Sequence, residues 1–457
     1  MKIIILGAGQ VGSTAAYQLA REQANDVTVV DTRDGVLREL QDRLDISTVS
    51  GNAAQPSTLL AAGSKGADLL VALTSSDEVN MIACQIAWTL FRTPTKIARI
   101  RSADYYGRPE LFGENAIPVD LAISPEQLVT DYVERLIRYP GALQVLEFAE
   151  GRVLLAGMRA LKGGKLVGHE LQALRSHIPN REVRVAAIYR GGRSILPEGG
   201  TTIEEHDEVF FVAAREDMRL VMKEFSSEEA SVRRVVIAGA GNIGFRLARA
   251  LEDRVQVKLI ERDAERSRRA AETLRNTLVL TGNAADEDLL LEENIDDADV
   301  FVAVTNAEEA NILSAMLAKK LGARRVMALI NKPSYAELME GGPIDIAISP
   351  QTITIGALLE HVRRGDVVRV HSLRRGAAEA IEAIVHTGGR GSPIAGKRIE
   401  DIALPEGTTI GAVVRGSEVI MAHHDAVIEP EDHVILFLTD RRHVEEVGRL
   451  FQAGTLE

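Results

Sequence analysis

The sequence predicts an α/β fold, two tandem Rossmann-like doubly wound parallel sheets, each followed by a small α+β lobe. Three observations carry that expectation. An apolar run, Ile3-Ile4-Ile5-Leu6, breaks into Gly7-Ala8-Gly9-Gln10-Val11-Gly12, a G-x-G-x-x-G turn. A second apolar strand, Val27 to Asp31, ends in a carboxylate about 20 residues past that turn, where dinucleotide folds carry their ribose-binding acid. The plan then restarts at Val235, and repetition in one order at a nearly constant offset means an internal duplication. The expected domains are 1–140 and 232–366 for the Rossmann-like lobes, with 141–231 (including a linker) and 367–457 for the small lobes.

Each glycine of the first turn has its own expected task. Gly7 allows the tight turn, Gly9 lets the backbone approach a pyrophosphate, and Gly12 lets the following helix pack on the strand. Ala8, Gln10 and Val11 fill the same loop and are counted with the site. Asp31 can accept both ribose hydroxyls of an adenosine, while its charge repels a 2′-phosphate, so NAD(H) is favoured.

A helical stretch, Leu37 to Leu44, leads to a strand near Ile46 to Val49 and then Gly51-Asn52-Ala53. The next strand, Asp68 to Leu73, runs into Thr74-Ser75-Ser76-Asp77-Glu78-Val79-Asn80 at a helix start. Loops at the carboxyl ends of adjacent strands line the ligand crevice of a doubly wound sheet, so Asn52, Ala53, Thr74, Ser75, Asp77 and Asn80 are candidate contacts. Ser76 or Asp77 can equally serve as a helix cap. Strand five, Lys96 to Ile100, carries Arg99 and is followed by Arg101. A guanidinium in a buried strand needs a partner, a phosphate or a carboxylate. Strand six, Val119 to Ile123, enters Ser124-Pro125-Glu126, where Ser at N-cap and Pro at N1 start a helix with an apolar stripe from Leu128 to Ile137. The composition changes at Tyr139-Pro140-Gly141, and short β-rich pieces follow to Ala214, then a charged helical connection over 215–231.

The second copy repeats these features. Gly239, Gly241, Asn242, Ile243 and Gly244 match the first turn, Glu261 stands for Asp31, and Asn283-Ala284 for Asn52-Ala53. Thr305-Asn306 answers Thr74-Ser75, and Ser349-Pro350-Gln351 answers Ser124-Pro125-Glu126. Leu329 and Asn331 replace Arg99 and Arg101, so the second site is expected to bind phosphates more weakly or to take a different nucleotide.

Composition narrows the function. A 457-residue chain with 46% apolar and 26% charged residues suits a multi-domain soluble protein, and no apolar run reaches the ~20 residues of a membrane span. No leader peptide is read at the start, and a cytoplasmic location is expected. The net charge of −13 opposes nucleic-acid binding, and basic pairs such as Arg363-Arg364 and Arg374-Arg375 read as solvated. A single cysteine, Cys84, rules out internal disulfides and reads as a core residue. The adjacent His423-His424 pair, which on a strand would point to opposite faces, reads as an exposed polar strand or turn, His361 and His371 lack ligand spacing, and no metal site is expected.

Together G-A-G-x-[VI]-G, an acid closing strand two, G-N-A, A-D-x-[LF]-V-A-[LV]-T and A-I-S-P, each present twice, resemble the RCK (KTN) domains that regulate potassium transport. The resemblance spans essentially the whole chain. It implies a regulatory assembly on the cytoplasmic face of a membrane-embedded, pore-forming potassium transporter subunit, attached peripherally to the inner face of the cell membrane. It also implies a tetrameric homo-oligomer, and a response to adenine nucleotides such as ATP or ADP, whose phosphates Arg99 and Arg101 would meet. Two rival readings share the fold. An NAD-dependent oxidoreductase needs an acid/base group set against a nicotinamide, and no His, Lys or Tyr constellation of that kind is evident. A purely structural staple would hold its nucleotide permanently.

Overall fold

In a computed structural model, the chain is described at all positions except 22–24, 114, 179–180, 196, 226–230, 340–341, 363–366, 374–377, 387–391, 424, 440–442 and 452–457. Arg363, Arg364, Arg374, Arg375 and His424 therefore lie outside the described residues.

Six parallel strands build the first sheet: β1 (Lys2–Leu6), β2 (Asp26–Asp31), β3 (Ser47–Ser50), β4 (Leu69–Ala72), β5 (Thr95–Arg99) and β6 (Leu121–Ile123). Their order, β3-β2-β1-β4-β5-β6, reverses between β1 and β4, which opens a crevice at the carboxyl ends of those two strands. Strands such as β1 and β4 are buried almost throughout, as a sheet covered on both faces requires. The helices are α1 (Gln10–Ala20), α2 (Asp34–Gln41), α3 (Pro56–Ala61), α4 (Asp77–Ile86), α5 (Ala103–Tyr106) and α6 (Pro125–Arg138). Helix α2 starts and ends three residues before the stretch read from the sequence, because Asp34 and Gly35 lack the apolar signal that Leu37 begins.

The first small lobe is an antiparallel sheet of β7 (Ala142–Phe148), β8 (Val153–Arg159), β9 (Val183–Arg190), β10 (Arg193–Ile195) and β11 (Glu208–Ala214), in the order β10-β9-β11-β8-β7. Strand β7 begins at Ala142, just past Pro140-Gly141, where the sequence reading saw only a change of composition. A turn through Gly191 (φ +54°) and Gly192 (φ +85°) joins β9 to β10. The lobe also holds α7 (Leu174–His177) and α8 (Arg215–Phe225). Helix α8 is no mere connection. Its Met218, Val221 and Phe225 are buried, and Phe225 meets Phe211 edge to face at 4.9 Å between ring centroids.

The second parallel sheet repeats the first as β14-β13-β12-β15-β16-β17, from β12 (Arg234–Ala238), β13 (Gln256–Glu261), β14 (Thr277–Thr281), β15 (Val300–Ala303), β16 (Arg325–Leu329) and β17 (Ile346–Ile348). Its helices are α9 (Asn242–Leu251), α10 (Ala264–Thr273), α11 (Glu287–Glu292), α12 (Glu308–Lys320), α13 (Pro333–Met339) and α14 (Pro350–Val362). The second small lobe orders its sheet β18-β19-β22-β20-β21, from β18 (Val367–Leu373), β19 (Ala378–Ile384), β20 (Thr408–Arg415), β21 (Glu418–Met421) and β22 (His433–Leu438), with α15 (Val444–Phe451).

The chain divides into two compact units. Met1–Thr130, Ile330–Ala336 and Ile348–Leu358 form the first; Asp131–Leu329, Glu337–Ala347 and Leu359–Glu457 form the second. Inside the second unit the small lobes share one core. Phe148, Leu155 and Phe210 from one pack with Leu373, Ile435 and Phe437 from the other. On the helices after the two Ser-Pro pairs, Val129, Val133 and Leu136 are buried, as is Leu358, whereas Ile353 and Leu359 are partly buried.

Between α4 and β5 the first parallel lobe is one residue longer than the second is between α12 and β16. Asn80 Nδ2 donates to the Arg99 carbonyl 19 residues on, at 2.9 Å, whereas its counterpart Asn311 reaches the Leu329 carbonyl 18 residues on, at 3.1 Å. The first copy absorbs its extra residue in a π-helical turn, Ala87–Phe91, which continues α4. Trp88, the single tryptophan, sits in that turn beside Lys96 Nζ, 4.7 Å from its ring centroid. Lys96 is 1% exposed, and its ammonium is satisfied by the carbonyls of Thr93 and Pro94 and by Asp120 at 2.9 Å. Cys84 is buried nearby and burial pushes its thiol up to about 12, so it acts as a core residue.

Because both small lobes lean on the same core, Phe437→Ala should cost about 3–5 kcal/mol. A denaturant titration should show the transition of the small lobes moving to lower midpoint, with the lobes of both halves affected together.

Candidate functional site

At the end of β1 the chain turns at Gly7 with φ +99°, a conformation that side chains disfavour. A Cβ on Gly12 would lie 1.8 Å from the Gly7 carbonyl oxygen, so α1 can approach the strand this closely only through glycine. Gly9 is different: a Cβ there would meet nothing within 4 Å, so its exposed backbone borders open space. Helix α1 begins behind Gly9 without a side-chain cap, leaving its first-turn amides to face that space. A pyrophosphate fits such a place, because it accepts amide hydrogen bonds and is favoured by the positive end of a helix.

The second copy matches closely. Gly239 has φ +105°, a Cβ on Gly244 would sit 1.9 Å from the Gly239 oxygen, and Gly241 meets nothing within 4 Å. Helix α9 also starts without a side-chain cap, at the exposed Asn242 and partly buried Ile243.

Each acid closes its turn. Asp31 Oδ2 accepts the Ala8 amide at 2.7 Å, and Glu261 Oε2 accepts the Ala240 amide at 2.7 Å. Burial alone would raise the Asp31 carboxyl. Hydrogen bonds from the Arg33 side chain and from the Ala8 and Arg33 amides outweigh it and hold the group below the ordinary carboxylate range. Arg33 covers Asp31 through Nε at 3.0 Å and Nη2 at 3.2 Å, but its own side chain is 58% exposed. A ribose reaching Asp31 would take the place of that exposed guanidinium. In the second copy Arg266, from α10, lies 3.4 Å from Glu261. The sequence reading missed both arginines. Arg33, two residues past the acid, was findable, whereas Arg266 carried no local signal.

The remaining candidates divide into scaffold and crevice. Asn52 Oδ1 accepts the Ala54 amide at 2.9 Å and Asn283 Oδ1 the Ala285 amide at 3.1 Å, so both shape turns. Ala53 is buried and Ala284 partly so. Thr74 and Asn80 bind each other, Oγ1 to Oδ1 at 2.7 Å, and Thr305 and Asn311 do likewise at 2.6 Å. Ser76 is the cap of α4, its Oγ accepting the Val79 amide at 3.2 Å. Asp77 Oδ2 instead takes the amides of Arg101 at 2.9 Å and Ser102 at 2.8 Å. Ser75 and Asn306 are exposed, as is Gln10; Val11 is partly buried.

The two arginines sit at the carboxyl end of β5. Arg101 hydrogen-bonds the Ser75 carbonyl, and its Nε lies 3.9 Å from Asp77. Arg99 Nη2 comes within 4.0 Å of Glu126 Oε1, but Arg99 Nε and Glu126 Oε2 are buried without hydrogen bonds. Burial lowers the Arg99 guanidinium and Glu126 offsets this only in part. A carboxylate thus answers Arg99 incompletely, and donor capacity remains for an anion. In the second copy Lys332 lies over the Tyr335 ring at 4.6 Å. Among the described residues no group of three or more His, Cys, Asp or Glu is arranged to hold a metal.

Comparison with known proteins agrees with this geometry. The family description "TrkA-N domain" matches residues 3–125 and 235–350, and "TrkA-C domain" matches 155–226 and 389–452. The chain is 59% identical to the Trk system potassium uptake protein TrkA of Halomonas elongata, over 99% of both chains. It is 56% identical to that of Vibrio alginolyticus, again over 99% of each. Among solved structures, the GsuK RCK domain superposes with a TM-score of 0.61 at 17% identity, covering 98% of this chain and 94% of that one. The GsuK channel bound to NAD gives 0.60 at 18%, covering 98% and 78%. At such identity these two establish the shared fold.

Since the Asp31 pKa is depressed, what its carboxylate contributes is complete above the unfolded value of about 3.9 and is lost as pH falls through the lower folded value. Resonances of the Ala8 and Arg33 amides should hold their shifts down to about pH 4. Movement of these signals between pH 5 and 7 would contradict the assignment.

Proposed function

The chain belongs to the TrkA family, and on that premise we propose that it is the nucleotide-binding regulatory subunit of a Trk-type potassium-uptake system. The observation that carries this reading is the pair of uncapped glycine turns, each closed by an acid, on a duplicated fold. It is a regulator and not an oxidoreductase. NAD(H) is the ligand that Gly7–Gly12 with Asp31, and Gly239–Gly244 with Glu261, are suited to hold. When bound, such a dinucleotide supplies a pyrophosphate and ribose hydroxyls. The first-turn amides of α1 bind the former and Asp31 orients the latter. Arg99 and Arg101 give the first site cations for the phosphates of ATP or ADP as well.

In this reading the protein attaches peripherally to the cytoplasmic face of a membrane-embedded, pore-forming potassium transporter subunit. Among the described residues no helix is long and apolar enough to cross a membrane. Nucleotide changes potassium flux only to the extent that it binds one arrangement of the lobes better than another. Self-assembly, for which the family resemblance implies a tetramer, is supported by apolar residues exposed at matching positions of both copies. Leu60 and Leu291 are 56% and 51% exposed, and Ile82 and Leu313 are 49% and 61% exposed.

Reconstitution with the pore subunit in vesicles tests the central reading: NADH or ATP should alter potassium flux, and indifference to every adenine nucleotide would reject it. Calorimetry on the full chain should show Asp31→Ala losing about ten- to a hundredfold in NADH affinity, the worth of a charged hydrogen bond. Glu261→Ala should lose less, because Leu329 and Asn331 leave its site poorer in charge; equal losses would overturn that ranking. Light scattering should give a tetramer that Leu60→Glu/Ile82→Glu dissociates.

A further inference from the structure

The first turn of α1 is held by a residue from the far half of the sequence. Gln351, second in α14, donates from Nε2 to the Gln10 carbonyl at 3.1 Å and to the Thr14 hydroxyl. Both partners lie on the turn whose amides face the open space at Gly9. Ser349 caps α14, its Oγ accepting the Thr352 amide at 3.3 Å, so the position of Gln351 is set by the helix start itself. The matching residue of the first half is Glu126, which can only accept and lies near Arg99. A glutamate could not donate to the Gln10 carbonyl and could meet the Thr14 hydroxyl only as an acceptor.

We propose that Gln351 is a positioning residue of the first nucleotide site, through which α14 registers whether a pyrophosphate occupies Gly7–Gly12. This rests on reading that turn as a dinucleotide site. Two helix starts, α1 and α14, meet through the Gln351 amide, so a ligand that draws on the α1 amides shifts the turn to which α14 is bonded. Chain continuity carries α14 on toward β18 and the second small lobe. Occupancy of a site built from the first 31 residues thereby bears on the second half. Reciprocity demands that the placement of α14 alter affinity at the first site by the same factor.

The test uses the full-length protein and NADH. Amide hydrogen exchange of residues 7–17, followed against NADH concentration, reports affinity at the first site, and exchange of residues 350–358 reports α14. Gln351→Ala should weaken the first-site affinity about three- to tenfold, the range of one or two lost hydrogen bonds. Gln351→Glu should weaken it further, since it brings a carboxylate to the anion site. Gln351→Lys, which keeps the donors, should restore it. In the wild type NADH should slow exchange in α14, and in Gln351→Ala that protection should vanish while the nucleotide-free melting temperature stays near wild type. Affinities within twofold of wild type for both Ala and Glu, or α14 protection that survives in Gln351→Ala, would overturn the proposal. Wild-type protein showing no NADH-dependent protection of residues 7–17 would remove the dinucleotide reading and the proposal with it, and so is told apart from failure of Gln351 alone.

Discussion

The bond from the Ala8 amide to the Asp31 carboxylate is the constraint on which the site depends. It ties the turn after β1 to the end of β2, two strands that pair in parallel register from Lys2↔Asp26 to Leu6↔Val30. With that turn pinned, Gly9 faces open space and α1 starts where its amides have no side-chain cap. Removing the carboxylate would leave a buried amide unpaired as well as taking away the ribose acceptor. The second copy keeps the same bond through a longer side chain, Glu261 to Ala240, at the same 2.7 Å. That a glutamate and an aspartate reach the same amide shows the loop, and not the side-chain length, to be the invariant.

Much of this was legible because its causes are local. A buried strand needs consecutive apolar residues, and a Cβ clash at Gly12 or Gly244 leaves glycine as the residue that fits, so the turns announce themselves. Ser124-Pro125 and Ser349-Pro350 start helices for reasons contained within four residues. The duplication was visible because whole blocks recur in order. Contacts between distant segments left no such trace. Nothing near Gln351 announces Gln10, 341 residues away, and nothing near Glu382 announces that its carboxylate accepts the Ala149 amide at 2.9 Å from the other small lobe.

Several polar residues that look like ligand contacts in the sequence spend their side chains on the scaffold. Asn80 is buried and bonded to Thr74 and to the Arg99 carbonyl, and Asn52 closes its own turn. Their pattern is shared by both copies because both copies share the loop geometry. The differences fall on Arg99 and Arg101 at the carboxyl end of β5 and on Glu126 at the start of α6, which have Leu329, Asn331 and Gln351 as counterparts. A symmetric pair of identical half-chains could not hold such differences. Joining the halves in one polypeptide allows each site its own chemistry.

The π-helical turn at Ala87–Phe91 shows how far that freedom extends. An added residue in a strand would shift its register and turn its buried side chains outward. Placed in the helix before β5, it is looped into one wide turn, and β5 still pairs with β4 from Leu69↔Thr95 to Ala72↔Ala98. The helix thus works as a slack segment between two fixed strands, a place where a lineage can gain or lose a residue without disturbing the sheet that carries the nucleotide loop.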